Sequence, residues 1–229
     1  MRIHVFQHEA GCGPGHLLDW ARVRGVELCF VRFHEGATVP ALDEVEAAVI
    51  LGGSMNTYQD GDYSHLRSVR EWTRAALLAG KKVFGICLGA QIMADALGSQ
   101  VVRATKLERG WIEVSRLPQA TKSPLLNWLP EQQFFFSWHG DTFAVPEGAL
   151  HGASSADCLA QAFAWGKHAL AVQFHPEADA SIVEGWIADE PASEQAALRT
   201  QLLPAEERFE SQKRLCFAAL DAWALDTYA

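Results

Sequence analysis

Cys87 is the residue most clearly placed to do chemistry. Residues 85–89 read Gly-Ile-Cys-Leu-Gly, after an apolar run and before a helical pattern. Glycine on both sides of a reactive residue at a strand-to-helix turn is typical of a nucleophile elbow, because the tight turn crowds its neighbours. The turn presents the sulfur at a helix N-terminus, where free N–H groups and the helix dipole favour thiolate. A cysteine taken alone is more often a buried structural residue, but this context favours a nucleophile.

A histidine and a glutamate on either side of a proline supply the candidate base and its partner. A strand pattern over 170–174 ends at His175, Pro176 stops regular pairing, and Glu177 follows. Imidazole can deprotonate a thiol, and a carboxylate on its far nitrogen fixes the tautomer. A lone histidine at a strand end is more often a surface or satisfied residue. Downstream of an elbow, it predicts a Cys-His-Glu triad for acyl transfer.

Two backbone N–H groups are candidates for an oxyanion hole. Gly52 and Gly53 follow a short apolar strand, and glycine lets backbone N–H groups approach a substrate. A tetrahedral intermediate needs two donors aimed at its oxygen. We assign the N–H of Gly53 and that of Leu88, the residue after Cys87. An ordinary glycine turn is the alternative reading of 52–53.

Three motifs together resemble a known family. Residues 51–53, 85–91 and 173–177 occur in the order and spacing seen in class I (triad-type) glutamine amidotransferases. The likeness is greatest to stand-alone members related to the amidotransferase domain of GMP synthetase. It covers about residues 1–177 and implies a flavodoxin-like fold. It also implies hydrolysis of the glutamine side-chain amide through a γ-glutamyl thioester on Cys87, with release of ammonia. Many relatives carry proline at Ser54, a departure expected to change loop stiffness more than chemistry.

The same resemblance implies the substrate pocket. Gln91 lies one helical turn after Cys87 and is expected to line the glutamine pocket with Gly52. Residues 137–141 match a loop that supplies backbone contacts to the substrate amino and carboxylate groups; this assigns substrate binding to Trp138, His139 and Gly140.

One residue of this region has an alternative role, and one nearby motif has no assigned role. His139 is also an alternative base, although its family counterpart is not catalytic and geometry must decide. Residues 108–111, Glu-Arg-Gly-Trp, resemble an E-x-G-W signature of stand-alone relatives. No chemical role for that segment follows from the sequence.

Composition is that of an ordinary globular chain. The 229 residues (25.2 kDa) are 49% hydrophobic and 21% charged, with a net charge of −9 and a pI of about 5.4. The acidity argues against nucleic acid as a main partner. No stretch approaches the length of a membrane span, and residues 1–6 are predicted to form a first strand rather than a signal peptide. Five scattered cysteines without a CxxC pair favour a cytoplasmic location.

Missing motifs bound the function further. The chain has no Walker A loop and no pyrophosphatase loop, so ammonia use is expected to need a separate synthetase as acceptor. The nine histidines show no metal-like spacing. We therefore expect neither a metal nor another cofactor.

Alternating patterns predict an α/β fold with a doubly wound, mostly parallel sheet flanked by helices. Predicted strands cover 3–7, 27–32, 47–51 and 82–86, and predicted helices cover 17–24, 64–79 and 88–97. After Gly98, short strands at 100–104, 111–116, 133–137 and 158–165 predict a small antiparallel addition. We expect one amidotransferase domain over 1–229, with a helical tail at 178–229. Helices are predicted at 181–189 and 209–225, and the apolar stripe of the second suits tail packing or a homodimer contact.

Several functions fit these residues. A glutaminase subunit would pass ammonia to another enzyme. A hydrolase of other γ-glutamyl compounds, such as γ-glutamyl peptides, would use the same triad with a roomier pocket. A non-catalytic binding or regulatory protein would keep the scaffold alone, which the presence of all three triad residues disfavours. An α/β-hydrolase with cysteine for serine is disfavoured because its acid precedes the histidine, whereas Glu177 follows it.

Overall fold

The computed structural model describes residues 1–227. Within them, nine strands form one sheet. In chain order the strands are β1 (Arg2–Gln7), β2 (Glu27–Arg32), β3 (Ala47–Ile50), β4 (Lys82–Ile86), β5 (Val101–Arg116), β6 (Gln132–Phe143), β7 (Leu150–Ser154), β8 (Ala162–Trp165) and β9 (Ala169–Val172). The helices are α1 (His16–Arg24), α2 (His65–Leu78), α3 (Leu88–Ala96), α4 (Ala180–Ala188), α5 (Ala192–Leu202) and α6 (Glu206–Ala224).

One half of the sheet is parallel and doubly wound, as predicted. Its order is β2-β1-β3-β4-β9, and every neighbouring pair is parallel. Helices α1 and α6 pack on one face, and α2 and α3 pack on the other. Strands β3 and β9 are buried at every residue, which explains their continuous apolar sequences. Because β4 and β9 are parallel neighbours, the segments after Ile86 and after Val172 leave the same edge of the sheet.

The other half, β9-β8-β7-β5-β6, is antiparallel, so the predicted addition is present but larger than expected. The strands predicted at 100–104 and 111–116 are one strand, β5, with a register shift between Arg103 and Glu108. Its partner β6 extends to Phe143, so the 137–141 motif lies in a strand and not in a loop. The sequence prediction missed β7 and began β8 four residues early. The alternation of apolar and polar residues is irregular in β5 and β7, because a register shift interrupts each strand.

Three helices follow the parallel core. Asp179 caps α4 by accepting a hydrogen bond from the Ile182 backbone N–H at 2.9 Å. Helix α6 packs on α1, where Asp221 accepts a hydrogen bond from Trp20 Nε1 at 2.8 Å. The predicted tail at 178–229 is helical in its described part, and 228–229 lie outside the described residues. No helix among the described residues could span a membrane.

Candidate active site

Cys87 occupies the turn between β4 and α3 in a strained backbone conformation. Its φ is 52° and its ψ is −106°, a region that residues with a Cβ rarely adopt. The flanking glycines are required by contact: a Cβ on Gly89 would lie 2.0 Å from the carbonyl oxygen of Ile50. A Cβ on Gly85 would lie 2.6 Å from the Gly89 oxygen. The elbow therefore fits only where α3 crosses β3 and β4 at close range.

His175 and Glu177 form a buried pair next to Cys87. The Nδ1–H group of His175 donates to Glu177 Oε1 at 2.8 Å, and both residues are 2% exposed. The backbone N–H of His175 donates to Phe136 O at 2.8 Å, and Trp186 packs edge-on against the imidazole at 4.7 Å. The hydrogen bonds to Glu177 and Phe136 and the contact with the Trp186 ring together hold the imidazole in place.

The surroundings of His175 favour its charged form. Burial lowers its pKa, but the charges of Glu177 and Cys87 and hydrogen bonds to both outweigh burial and raise the pKa to about 10. The second carboxylate oxygen of Glu177 has no hydrogen-bond partner among the described residues. The negative charge of Glu177 is therefore directed almost wholly at the imidazole.

Gly52 and Gly53 lie against this pair. A Cβ on Gly52 would come within 2.9 Å of His175 Cε1 and 3.6 Å of the Cys87 Cβ. Gly53 lines both cavities that open at Cys87. Leu88 is the first residue of α3, so its N–H group has no acceptor within the helix. Within residues 1–227, neither N–H group donates to another backbone oxygen.

Two cavities meet at Cys87 and share Gly53, Ser54 and Trp138. The Gln91 cavity has a volume of about 210 Å³ and is walled by β6 and the 53–56 loop. The Trp186 cavity has a volume of about 200 Å³ and includes His175 and Glu9 in its walls. The Cys87 sulfur can thus be approached from two sides.

A chain of amides lies behind the sulfur. Gln173 Nε2 is 3.6 Å from Cys87 Sγ. Gln91 Nε2 donates at 3.3 Å to Gln173 Oε1 and at 3.3 Å to the carbonyl oxygen of Asp141. Gln91 lines the Gln91 cavity, and its side chain also connects Gln173, next to the nucleophile, with Asp141 of β6. Sequence analysis missed Gln173, although it is the first residue of the 173–177 motif.

Trp138, His139 and Gly140 of the 137–141 segment all line the Gln91 cavity. The Trp138 carbonyl oxygen lies 3.9 Å from Cys87 Sγ, and a Cβ on Gly140 would lie 2.8 Å from the Arg103 guanidinium. The His139 side chain points to Glu108 Oε2 at 2.8 Å. Its imidazole is committed to that buried contact, which leaves its backbone for a ligand.

Asp141 is the residue of this segment that sequence analysis overlooked. It lines the Gln91 cavity and is 3% exposed, and neither carboxylate oxygen has an ordinary hydrogen-bond partner among the described residues. Arg103 Nη1 lies 3.5 Å away. Burial and the Asp141 charge raise the pKa of Tyr58. The Asp141 carboxylate is therefore paired with Arg103 at long range, and its oxygens can still accept hydrogen bonds from a cationic group.

The tail and the first loop hold Glu177. Gly15 has a φ of +46°, and a Cβ there would lie 2.0 Å from the Glu177 carbonyl oxygen. The His16 N–H donates to that oxygen at 2.8 Å. Gln212 of α6 donates to Ala178 O at 2.7 Å and accepts from the Phe136 N–H at 2.8 Å. No local motif signals these long-range contacts.

The structure also groups three potential metal ligands that sequence spacing did not reveal. One ligand atom each from Glu108, His139 and Cys158 lies within 4.8 Å of the others. The Glu108 oxygens already accept hydrogen bonds from Ser155 and Gln161, and both His139 nitrogens are engaged. These residues fit a hydrogen-bonded ion pair better than a metal centre, since a bound ion would displace donors that are already in place.

Comparison with known proteins gives one family. The model of the glutamine amidotransferase class-I family matches residues 16–185. The glutamine amidotransferase-like protein YfeJ of Salmonella typhimurium is 29% identical over 191 residues, which are 82% of this chain and 80% of that protein. The glutamine-hydrolysing GMP synthase of Thermobifida fusca is 34% identical over 58% of this chain, but the match spans only 24% of the synthase.

Solved structures agree with the sequence matches. A glutamine amidotransferase from Thermotoga maritima has a TM-score of 0.86 and 27% identity, and the alignment covers 97% of each chain. A glutamine amidotransferase from Methylobacillus flagellatus also has a TM-score of 0.86, with 25% identity over 97% of this chain and 93% of that one. The predicted resemblance and fold class are confirmed, and the chain belongs to the class I glutamine amidotransferase family.

Proposed function

We propose that this protein hydrolyses the side-chain amide of glutamine through a γ-glutamyl thioester on Cys87 and releases ammonia for a separate acceptor enzyme. The observation that carries the proposal is the meeting of an elbow cysteine and a buried His175–Glu177 pair at two cavities. Membership of the family supports it. A non-catalytic role would not require so much buried charge at this point.

The proposed reaction begins with an ion pair. His175, whose pKa is about 10, holds the proton and leaves Cys87 as a thiolate. The sulfur attacks the amide carbon, and the N–H groups of Gly53 and Leu88 stabilise the oxyanion. His175 then gives its proton to the departing ammonia. Water, deprotonated by His175, attacks the thioester and frees glutamate while Glu177 steadies the Nδ1–H.

The Gln91 cavity suits the amino acid head group of glutamine. Asp141 offers a buried carboxylate to the α-ammonium group, and Arg103 offers a guanidinium to the α-carboxylate. One anion and one cation in the same wall complement a zwitterion. This assignment adds side-chain contacts to the backbone contacts expected at Trp138 and Gly140.

A second substrate class is favoured by the Trp186 cavity. The cavity beside His175, where the leaving group must receive its proton, has a volume of about 200 Å³. Ammonia is about the size of a water molecule, which needs only about 10–15 Å³. This space favours γ-glutamyl compounds with a larger leaving group than ammonia, such as γ-glutamyl peptides. Glutamine and γ-glutamyl dipeptides should therefore be assayed in parallel.

The cysteines support the proposed cytoplasmic location. All five cysteines are free in the structure, a pattern that suits a reducing compartment. A homodimer stays a prediction from the apolar stripe of α6, and the identity of any ammonia acceptor is a matter for partner isolation.

The decisive experiment combines labelling with turnover. A diazoketone analogue of glutamine is expected to alkylate Cys87 alone, as read by peptide mass spectrometry. Cys87→Ala should abolish turnover, and His175→Asn should lower kcat by about 10²–10⁴-fold, the usual size of a lost general base. His139→Asn is the matched histidine control and should retain most of kcat. Labelling elsewhere, or greater damage from His139→Asn than from His175→Asn, would overturn the assignment.

A further inference from the structure

Glu108 and His139 form a buried ion pair that the proposed reaction does not use. Their side chains are 3% and 1% exposed, and His139 Nε2 lies 2.8 Å from Glu108 Oε2. His139 Nδ1 lies 3.0 Å from the carbonyl oxygen of Asp141. A carboxylate and a carbonyl can only accept hydrogen bonds, so both ring nitrogens donate and the ring is an imidazolium.

The carboxylate is held from its other side as well. The Ser155 hydroxyl donates to Glu108 Oε1, and Gln161 Nε2 donates to Oε2 at 2.6 Å. Burial raises the pKa of Glu108, but hydrogen bonds from His139 and Ser155, with the His139 charge, bring it below its usual value. Three donors therefore fix an ionised Glu108, and a fully satisfied buried network is rigid.

The network continues from His139 to the nucleophile. The Asp141 carbonyl oxygen, which accepts from His139, also accepts from Gln91 Nε2 at 3.3 Å. Gln91 Nε2 bonds to Gln173 Oε1 at 3.3 Å, and Gln173 Nε2 lies 3.6 Å from Cys87 Sγ. A continuous polar path thus runs from Glu108 through the wall of the Gln91 cavity.

We infer that Glu108 is a positioning residue for substrate recognition. Acting through His139, it holds the Asp141 carbonyl and hence the Gln91 side chain in the shape that accepts the γ-glutamyl group. This inference rests on the proposed function, because it names what orders the acyl side of the same site. It also explains the E-x-G-W segment, to which the sequence assigns no role.

The neighbours of Glu108 in that segment support the same wall from outside. The Arg109 guanidinium pairs with Glu190 and Glu194 at 3.0 Å each and lies 5.4 Å from the Trp138 ring centroid. Trp111 Nε1 donates to the Leu202 carbonyl oxygen at 3.1 Å. Residues 108–111 therefore join β6 to α5 and to the segment before it.

The first test separates recognition from nucleophile reactivity. In Glu108→Gln the anion that balances His139 is lost, and the neutral ring can donate only one of its two bonds. We expect KM for glutamine to rise about tenfold, the scale of one charge-assisted hydrogen bond, with kcat changed less than about twofold. The rate at which iodoacetamide alkylates Cys87 should be unchanged. Glu108→Asp keeps the charge on a shorter side chain and should show the same KM-confined loss.

Two control variants identify the route. Ser155→Ala removes one donor to the same carboxylate but keeps the ion pair, so its rise in KM should be smaller than that of Glu108→Gln. Asp221→Asn removes the negative charge and the Oδ2 acceptor that pair with Arg24, outside both cavities, so it should lower the Tm without moving KM. In a His139→Ala background, adding Glu108→Gln should change KM less than about twofold, because residues that act as one unit are not additive.

The outcomes distinguish this inference from the proposed function. If the wild-type protein neither hydrolyses a γ-glutamyl amide nor is labelled at Cys87, both fail. If the wild-type protein is active and a folded Glu108→Gln or Glu108→Asp enzyme keeps its KM, the inference alone fails. Full additivity with His139→Ala, or a kcat loss equal to the KM effect, would also overturn it.

Discussion

Cys87, the proposed nucleophile, has a strained backbone conformation. Its φ of 52° places the sulfur above the sheet edge, and such conformations cost about 1–3 kcal/mol for a residue with a side chain. Glycine would relieve that strain but carries no nucleophile. The surrounding contacts at Gly85 and Gly89 over-determine the turn, so the molecule tolerates cysteine there.

The strain predicts an unusual order of stability. Cys87→Gly should be more stable than Cys87→Ala by about 1 kcal/mol, since relief of the left-handed strain exceeds the entropic cost of glycine. Both variants should be inactive. Urea unfolding of the two proteins measures the difference. An alanine variant as stable as the glycine variant, or more so, would show that the turn is not strained.

At this scale the sequence predicts contiguous motifs and misses long-range pairs. Cys87, His175 and Glu177 could be singled out because each lies in a short pattern with a chemical reason. The signature that contains Glu108 indicates no role, and Asp141 carries no signal, since the partners of both come from other strands and a β-bulge separates Glu108 from the regular register. Gln173 was passed over because an amide next to a histidine carries no chemical signal by itself.

Helix α3 meets the sheet at Gly89, and this contact fixes the elbow. A methyl group at Gly89 would lie 2.0 Å from Ile50 O, a backbone atom that cannot move without displacing β3. We expect Gly89→Ala to lower the free energy of unfolding by about 1–3 kcal/mol, as overpacking does, and to lower activity by shifting Cys87.

A second helical glycine, Gly185, should respond to the same substitution with a change in the free energy of unfolding of the opposite sign. Gly185 lies within α4, and a Cβ there would meet nothing within 4 Å. Gly185→Ala should raise the free energy of unfolding by about 0.5–1 kcal/mol through helix propensity. Denaturant titration compares the pair. Equal effects from the two substitutions would mean that Gly89 is kept for propensity and not for contact.

At the element scale, the parallel half could be predicted almost to the residue and the antiparallel half could not. Strands β2 and β4 match the predicted ranges, because βαβ units separate apolar runs by clear helices. Strand β5 was split because Arg103 and Glu108 flank a register shift, where hydrophobic alternation breaks. The helix predicted at 209–225 begins earlier, at Glu206, and helix ends are weakly encoded.

At the scale of the whole molecule, the Gln212 side chain connects the C-terminal helix α6 to the active site. This fully buried side chain accepts from Phe136 N–H and donates to Ala178 O. The Phe136 oxygen in turn accepts from the His175 N–H. Gln212→Leu should leave two backbone groups unpaired, at about 1–3 kcal/mol each, and should lower activity in protein that is still folded. Gln201→Leu, at an exposed position of α5, should stay within about 0.5 kcal/mol of the wild type.

The raised pKa of His175 makes the stability of the whole chain depend on pH, because the folded and unfolded states bind protons differently. The folded pKa of about 10 exceeds the ordinary value of 6.5, so the native imidazole holds a proton that the unfolded imidazole loses. A thiolate at Cys87 would offset that proton in the count, so the comparison is made in Cys87→Ala, where the Glu177 charge still favours the protonated ring. The stabilisation is fully present below pH 6.5 and is lost as pH rises towards 10. The slope is at most about 1.4 kcal/mol per pH unit for one proton.

The difference between Cys87→Ala and the double variant Cys87→Ala/His175→Gln isolates this contribution. Burial raises the pKa of the Cys12 and Cys216 thiols, so their ionisation on unfolding also weakens the native state in alkali, but equally in both proteins. Urea-unfolding free energies measured from pH 6 to 10 should fall more steeply with pH in Cys87→Ala. Adding Glu177→Gln to that variant should flatten the profile in the same way, because the anion that retains the proton is gone. Parallel profiles for all three proteins would place the His175 pKa near its ordinary value and remove the charged imidazole from the proposed mechanism.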